Sequence, residues 1–253
     1  MKKYNLGICS VTFRKNSPEE VIKAVSGAGL DCIEWGSDIH APCDDEEKLK
    51  EIARIQNEYN IKCYSYGTYF YIMRDSLDTL PQYIKAAKIL GASVLRLWCG
   101  IKGSAEHSEK EKDELFCECK KAAQLAEDNG VILCMENHPG SFTDTAQSSL
   151  ELIEKVNSPH FKMYWQNINI TGNEDVELAL KEAKLLSPHT VNIHVAWWVN
   201  SKQLHLSEGA MVWEKYLSEF SDGKCLLLEF IPGGKIEDLP TEAQSLRSIV
   251  NSL

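Results

Sequence analysis

Two glutamates in this chain close runs of apolar residues. Val131 to Met135 leads straight into Glu136, Asn137 and His138 before Pro139-Gly140 breaks the run, and Cys225 to Leu228 leads into Glu229 and Phe230 before Pro232-Gly233-Gly234. Taking a carboxylate out of water costs roughly several kcal/mol unless a counter-charge meets it, so each glutamate calls for a metal ion or a salt-bridge partner. Two further apolar runs lie between them, Phe161 to Trp165 ending in Gln166 and Val191 to Trp197 carrying His194. Two carboxylates, an imidazole and an amide oxygen make a donor set for one divalent ion, Mn²⁺, Mg²⁺, Co²⁺ or Zn²⁺. Taken singly, each has an ordinary reading: a strand-end glutamate more often pairs with a cation, and His194 is a hydrogen-bonded core residue. Their equivalent positions in four successive segments favour one shared site.

Other polar residues stand at the ends of similar runs. Glu34 sits in Leu30 to Gly36, Arg96 and Trp98 in Ser93 to Trp98, and Asn169 follows the run that ends at Trp165. Arg96 would bind a substrate anion or hydroxyl, or pair with Glu34. His138 would orient a hydroxyl or make a structural hydrogen bond. Trp35, Trp98, Trp165, Trp197 and Trp198 offer faces that suit the C–H side of a sugar ring, or pack the rim.

The elements that must position these residues alternate. Leu6 to Phe13 reads as a strand, and Ser17-Pro18-Glu19-Glu20 opens a helix with an N-cap serine, proline at the first helical position and glutamate three after the cap. Strand-like segments then recur at Leu30 to Gly36, Lys62 to Phe70, Ser93 to Trp98, Val131 to Glu136, Phe161 to Trp165, Val191 to Trp197 and Lys224 to Phe230. Helical segments follow each, at Asp45 to Tyr59, Leu80 to Leu90, Ser108 to Asp128, Ser148 to Val156, Asp175 to Leu186, Val212 to Phe220 and Leu239 to Val250. Eight strand–helix units predict a single (β/α)₈ TIM barrel, one domain over residues 1–253. A doubly wound open sheet would want a glycine-rich phosphate loop after its first strand, and Ser10 to Arg14 contains no glycine. In a barrel the strands' C-terminal ends form the active-site mouth, where these polar residues fall.

Bulk composition sets the outer limits. The 253 residues fit one such barrel, and 43% hydrophobic content is enough for its core. No apolar run approaches the roughly 18–20 residues that cross a bilayer, so no membrane partner is expected. A net charge of −10 without a Lys/Arg cluster argues against nucleic acid. The nine cysteines include no CxxC pair, and most fall in strand-like segments, so they read as reduced core thiols of a cytoplasmic chain.

Several motifs together resemble the xylose isomerase-like barrels, a family that includes sugar-phosphate isomerases/epimerases and ketose 3-epimerases and, more distantly, the endonuclease IV group. They are Ile33-Glu34-Trp35-Gly36 with His40, Leu95 to Gly100, Met135-Glu136-Asn137-His138, Asn192-Ile193-His194 and Leu228-Glu229-Phe230. The resemblance implies one divalent metal held by Glu136, Gln166, His194 and Glu229. It also implies Glu136 and Glu229 as the acid/base pair, and a substrate-binding His40 in the second strand–helix loop. Relatives carry Asp-x-x-His where this chain has Gln166 and Asn169, which predicts weaker metal binding. The nuclease group's three-zinc cluster wants an Asp-x-His after the seventh strand, and the segment from Val191 to His205 has none. The implied activity is isomerisation or epimerisation of a sugar or keto sugar through an enediolate. The alternatives are a dehydratase using the same enolate on a keto sugar or inosose, and a non-catalytic sugar-binding relative. The resemblance also admits a homo-oligomer.

Overall fold

The computed structural model describes residues 4–167 and 176–253. Ten strands occur among them: β1 (Asn5–Cys9), β2 (Cys32–Gly36), β3 (Lys62–Ile72), β4 (Val94–Cys99), β5 (Ile132–Glu136), β6 (Phe161–Trp165), β7 (Thr190–Val195), β8 (Trp197–Val199), β9 (Lys202–Leu204) and β10 (Cys225–Leu228). Eight close a parallel barrel in the order β1-β10-β7-β6-β5-β4-β3-β2, and β8 and β9 form a separate hairpin. The helices are α1 (Pro18–Gly27), α2 (Glu46–Glu58), α3 (Leu80–Leu90), α4 (Glu109–Asn129), α5 (Ala146–Val156), α6 (Val176–Leu186), α7 (Ala210–Ser218) and α8 (Leu239–Asn251). The predicted (β/α)₈ barrel is the fold.

Local chemistry accounts for where the helices begin. Ser17 caps α1 in a reciprocal box, its backbone N–H donating to Glu20 at 2.7 Å while the Glu20 N–H donates to the serine hydroxyl at 3.3 Å. Ser108 and Glu111 repeat this at the start of α4. Such boxes satisfy backbone donors that no helical carbonyl reaches.

The strands carry the site through their period of two, because successive side chains face opposite sides of a sheet. Leu95, Leu97, Leu133, Met135, Ile193, Val195, Leu226 and Leu228 pack outward against the helices. Cys32, Val94, Cys134, Tyr164 and Leu227 form a second cluster inside the barrel. Two residues on from each of these inward positions come Glu34, Arg96, Glu136, Gln166 and Glu229. His194 lies between two outward neighbours and therefore also points in. One parity delivers every strand-borne site residue to the same interior.

Four boundaries differ from expectation. β1 stops at Cys9, and Ser10–Phe13 tightens into a 3₁₀ turn. β3 runs on to Ile72, past the expected end at Phe70. The expected seventh strand divides at Ala196, its last residue opening the β8–β9 hairpin. That hairpin turns through Asn200 and Ser201, both left-handed (φ 51° and 59°), as a tight two-residue connection requires. β10 ends at Leu228, so Glu229 stands just past the ladder, its N–H still bonded to the Val195 carbonyl at 3.0 Å. All nine cysteines are free thiols. Among the described residues no helix is long and apolar enough to cross a membrane.

Gly7 pairs with Cys32 across β1 and β2. A Cβ on Gly7 would lie 2.4 Å from the Cys32 carbonyl oxygen and 2.5 Å from its sulfur. Gly7→Ala should therefore cost about 1–3 kcal/mol of overpacking strain, read as a lowered urea midpoint. An unchanged midpoint would mean that β1 and β2 separate freely.

Candidate active site

Three carboxylates, an arginine and a histidine meet inside the C-terminal end of the barrel. Arg96 on β4 is 2% exposed and bridges two of the carboxylates. Its Nε donates to Glu34 Oε1 at 2.9 Å, and its Nη1 donates to Glu136 Oε2. Ser65 donates its hydroxyl to the other Glu34 oxygen at 2.8 Å. Gly67 makes room for the pair, since a Cβ there would sit 2.8 Å from Arg96 Nη2 and 3.0 Å from Glu34 Oε1. The guanidinium also lies over the rings of Trp98 and Tyr69, 5.0 and 5.5 Å from their centroids.

His194 on β7 joins the carboxylates from the opposite side. Its Nδ1 lies 3.2 Å from Glu136 Oε1 and 3.2 Å from Glu229 Oε2, and its Nε2 lies 3.6 Å from Glu34 Oε1. Burial disfavours the ionised form of Glu136, yet Arg96 and then His194 outweigh it and bring the carboxyl down to about 2. The same balance, burial against Arg96 and His194, holds Glu34 well below the usual carboxylate range. For His194 burial opposes the imidazolium, but the Cys9 sulfur and the Glu229 and Glu136 carboxylates raise its pKa well above the ordinary value.

The donor set fits a divalent ion. Ligand atoms of Glu136, His194 and Glu229 lie within 4.8 Å of one another. Both His194 ring nitrogens are buried without an aligned hydrogen-bond partner among the described residues. Three carboxylates against one guanidinium leave two negative charges uncompensated when His194 is neutral, the charge that a dication supplies. Gln166 stands beside this group, but its nitrogen makes the contacts seen, donating to Glu136 Oε1 at 2.9 Å and to the Asn137 carbonyl at 2.7 Å. Two acceptors facing the amide require its N–H₂ there, so the expected oxygen donation is not the contact formed.

Above the group opens a cavity of about 540 Å³, with Glu136, Gln166, His194 and Glu229 among its lining residues. Trp98 and His138 are in its wall, the rings 5.5 Å apart. Glu34 lies beneath, holding Arg96. His40 is not brought to the cavity; its Nδ1 faces the Ser10 hydroxyl and its Nε2 the Asn16 carbonyl, both at 3.1 Å, which ties it into the loop after β1. Asn169 lies outside the described residues. Arg74, Tyr71 and Trp213 line the cavity without having been singled out from sequence. Tyr71 and Arg74 escaped because β3 was expected to end at Phe70, which left both in an unremarkable loop. Two wall residues, Tyr69 and Phe230, hold left-handed backbone (φ 56° and 62°), a conformation that costs a non-glycine residue roughly 1–3 kcal/mol and clusters at binding sites.

A closed parallel barrel with its polar groups gathered at the strands' C-terminal ends is a TIM barrel with an enzyme-like mouth. More narrowly, the chain belongs to the Xylose isomerase-like TIM barrel family, which its residues 22–248 match. A curated 3-dehydroshikimate dehydratase of Bacillus anthracis is 32% identical over 89 residues, 35% of this chain and 30% of that protein. The crystal structure of the probable 3-DHS dehydratase AsbF from Bacillus anthracis superposes with a TM-score of 0.79 at 18% identity, over 97% of this chain and 98% of the other. The IOLI protein with a bound zinc atom gives 0.73 at 13% identity, over 100% and 99%. An L-ribulose 3-epimerase gives 0.72 at 17%, over 98% and 94%. At these identities the structural likenesses establish the fold.

Arg96→Met would leave Glu34 and Glu136 buried without their cation, at a cost of about 3–5 kcal/mol near neutral pH. Both carboxyls are depressed in the folded state. Their stabilisation is therefore full above the unfolded value of about 4.3 and is lost as pH falls through the folded values, about 2 for Glu136. In chelator-treated protein, the gap in urea midpoint between wild type and variant should be widest near neutral pH and narrow on acidification. A gap that stays constant would assign Arg96 to packing alone.

Proposed function

We propose that this protein is a divalent-metal-dependent isomerase or epimerase that abstracts a proton beside the carbonyl of a sugar or keto sugar, with an enediolate intermediate. The observation that carries the reading is the convergence of Glu136 and Glu229 on one nitrogen of His194 at the floor of a single cavity. The family supports it, since similar structures include an L-ribulose 3-epimerase and a zinc-bound protein.

Glu136, His194 and Glu229 would hold the ion, with the Gln166 amide bracing Glu136. A divalent ion bound there supplies Lewis-acid polarisation of a substrate carbonyl. The protein's own groups divide the remaining work unequally. Glu136 receives Arg96, His194 and Gln166 together, so it stays ionised and is a weak base. Glu229 is 16% exposed in its side chain against 2% for Glu136, and it meets His194 at 3.2 Å. It is therefore the freer base, and Glu136 serves as partner on the other side of the reacting carbon. The aromatic wall keeps bulk water from the carbanion equivalent while the proton is off.

This inequality also favours a second reading. If Glu229 takes the proton next to the carbonyl and then delivers it to a β-hydroxyl, which leaves as water, the outcome is a dehydratase, the activity named for the Bacillus anthracis relatives.

Solvent-deuterium exchange into a panel of ketoses and keto acids, with Mn²⁺, Mg²⁺, Co²⁺ or Zn²⁺ added in turn, tests both. Exchange without elimination supports the isomerase or epimerase, and formation of an unsaturated product supports the lyase. Glu136→Gln and Glu229→Gln should each lower exchange by about 10²-fold or more while circular dichroism stays unchanged. Exchange surviving either change would sink the paired-carboxylate assignment, and its absence with every metal and substrate would sink the enzymatic one.

A further inference from the structure

The wall opposite Glu229 holds polar capacity that the proton-transfer machinery does not use. Arg74, in the loop after β3, lines the cavity with its guanidinium 4.0 Å over the Tyr71 ring. Its Nε and Nη2 donate to the two Asp75 carboxylate oxygens at 2.9 and 2.8 Å, and Nη2 also donates to the Tyr69 carbonyl at 3.0 Å. These contacts orient the group and leave the Nη1 N–H pair without a partner among the described residues. Tyr71 in turn stacks on Trp98, with centroids 4.7 Å apart and planes tilted by 30°. Trp98 is 7% exposed, and its indole N–H is buried with no hydrogen-bond partner among the described residues. A buried donor left unmet costs roughly 1–3 kcal/mol, so a ligand acceptor at this wall is its natural complement. Beside it, His138 donates Nδ1–H to the Pro139 carbonyl at 2.7 Å, which leaves Nε2 to meet a hydroxyl.

We propose that the Arg74–Tyr71–Trp98 wall is a carboxylate subsite, so that the substrate is a polyhydroxy carboxylate, an oxidised sugar or hydroxy acid, and not a neutral ketose. The inference rests on the reading of this cavity as a substrate site. A planar two-oxygen anion matches the free edge of the arginine, and the unmet Trp98 N–H belongs to the same cavity wall. Because Arg74 is already fixed by Asp75, Tyr71 and the Tyr69 carbonyl, little side-chain entropy is lost when it binds. Glu136 and Glu229 repel an anionic end, so the two walls together fix the direction in which the molecule lies. Its hydroxyl-bearing carbons then run past His138 toward the carboxylates.

The test is calorimetric binding to matched pairs, D-galacturonate against D-galactose and D-gluconate against D-glucitol, with D-glucose 6-phosphate as the phosphate-bearing arm. The carboxylates should bind about tenfold to a hundredfold tighter than their neutral partners. The preference should vanish in Arg74→Met and persist in part in Arg74→Lys, with the thermal midpoint of each variant showing that it folds. Equal affinities within each pair, a preference surviving Arg74→Met, stronger binding of the phosphate ester, or no binding of either carboxylate would each overturn the proposal. Because binding is read without turnover, a preserved preference in a protein that shows no deuterium exchange would overturn the catalytic reading alone. Exchange into neutral ketoses that Arg74→Met leaves untouched would overturn the subsite alone.

Discussion

The structure depends on one buried cation. Inward parity brings Glu34, Glu136 and Glu229 into the barrel together, and low-dielectric burial makes three carboxylates there untenable by themselves. Arg96 resolves this for two of them with a planar fork whose separate nitrogens reach Glu34 and Glu136. A lysine would present one point charge in place of two directed contacts. Neighbouring choices follow from its position: Gly67 gives the guanidinium room, Ser65 satisfies the second oxygen of Glu34, and Trp98 and Tyr69 offer ring faces. Glu34 contributes to the site from beneath the cavity by fixing the arginine that fixes Glu136.

The mouth is built differently from the barrel beneath it. Strand-borne groups take their direction from the pleat and their depth from the parallel register, such as His194 beside Leu227 and Arg96 beside Cys134. Wall residues come instead from places where the ladder is interrupted. The pairing of β3 with β4 slips between Gly67 and Tyr71, and left-handed Tyr69 lies within that slip. Phe230 turns left-handed immediately after Glu229, its N–H donating to the Thr12 hydroxyl at 3.0 Å. Irregular backbone at these points aims aromatic side chains across the opening, whereas a continued strand would face them alternately in and out.

That division explains what the sequence disclosed. Their place at the ends of successive strand-like segments made Glu34, Arg96, Glu136, Gln166, His194 and Glu229 readable as one set, because a barrel gathers its strands' C-terminal ends at one mouth. Arg74 and Trp213 carry no such mark, since one follows a bulged strand and the other sits on a helix whose apolar face reads as core. The hairpin was hidden because Trp197, Trp198 and Val199 continue the apolar, β-prone character of β7, and the break at Ala196 is a matter of hydrogen bonding that composition does not express. His40 shows the converse. The family resemblance implied a substrate-binding residue there, but its two ring nitrogens find the Ser10 hydroxyl and the Asn16 carbonyl, contacts created by a 3₁₀ turn in a segment that reads as strand.

The unequal surroundings of the two acid/base candidates bear on what chemistry the floor can support. Inverting a carbon takes a group on each face, one accepting the proton and the other, protonated, supplying one. Glu136 is held by Arg96, by His194 and by the Gln166 amide, and every one of these contacts favours the ionised, less basic carboxylate. Gln166, where the family resemblance implies an aspartate, brings no negative charge and donates a hydrogen bond to the same glutamate. The Gln166 amide thus adds to the contacts that favour the ionised, less basic form of Glu136.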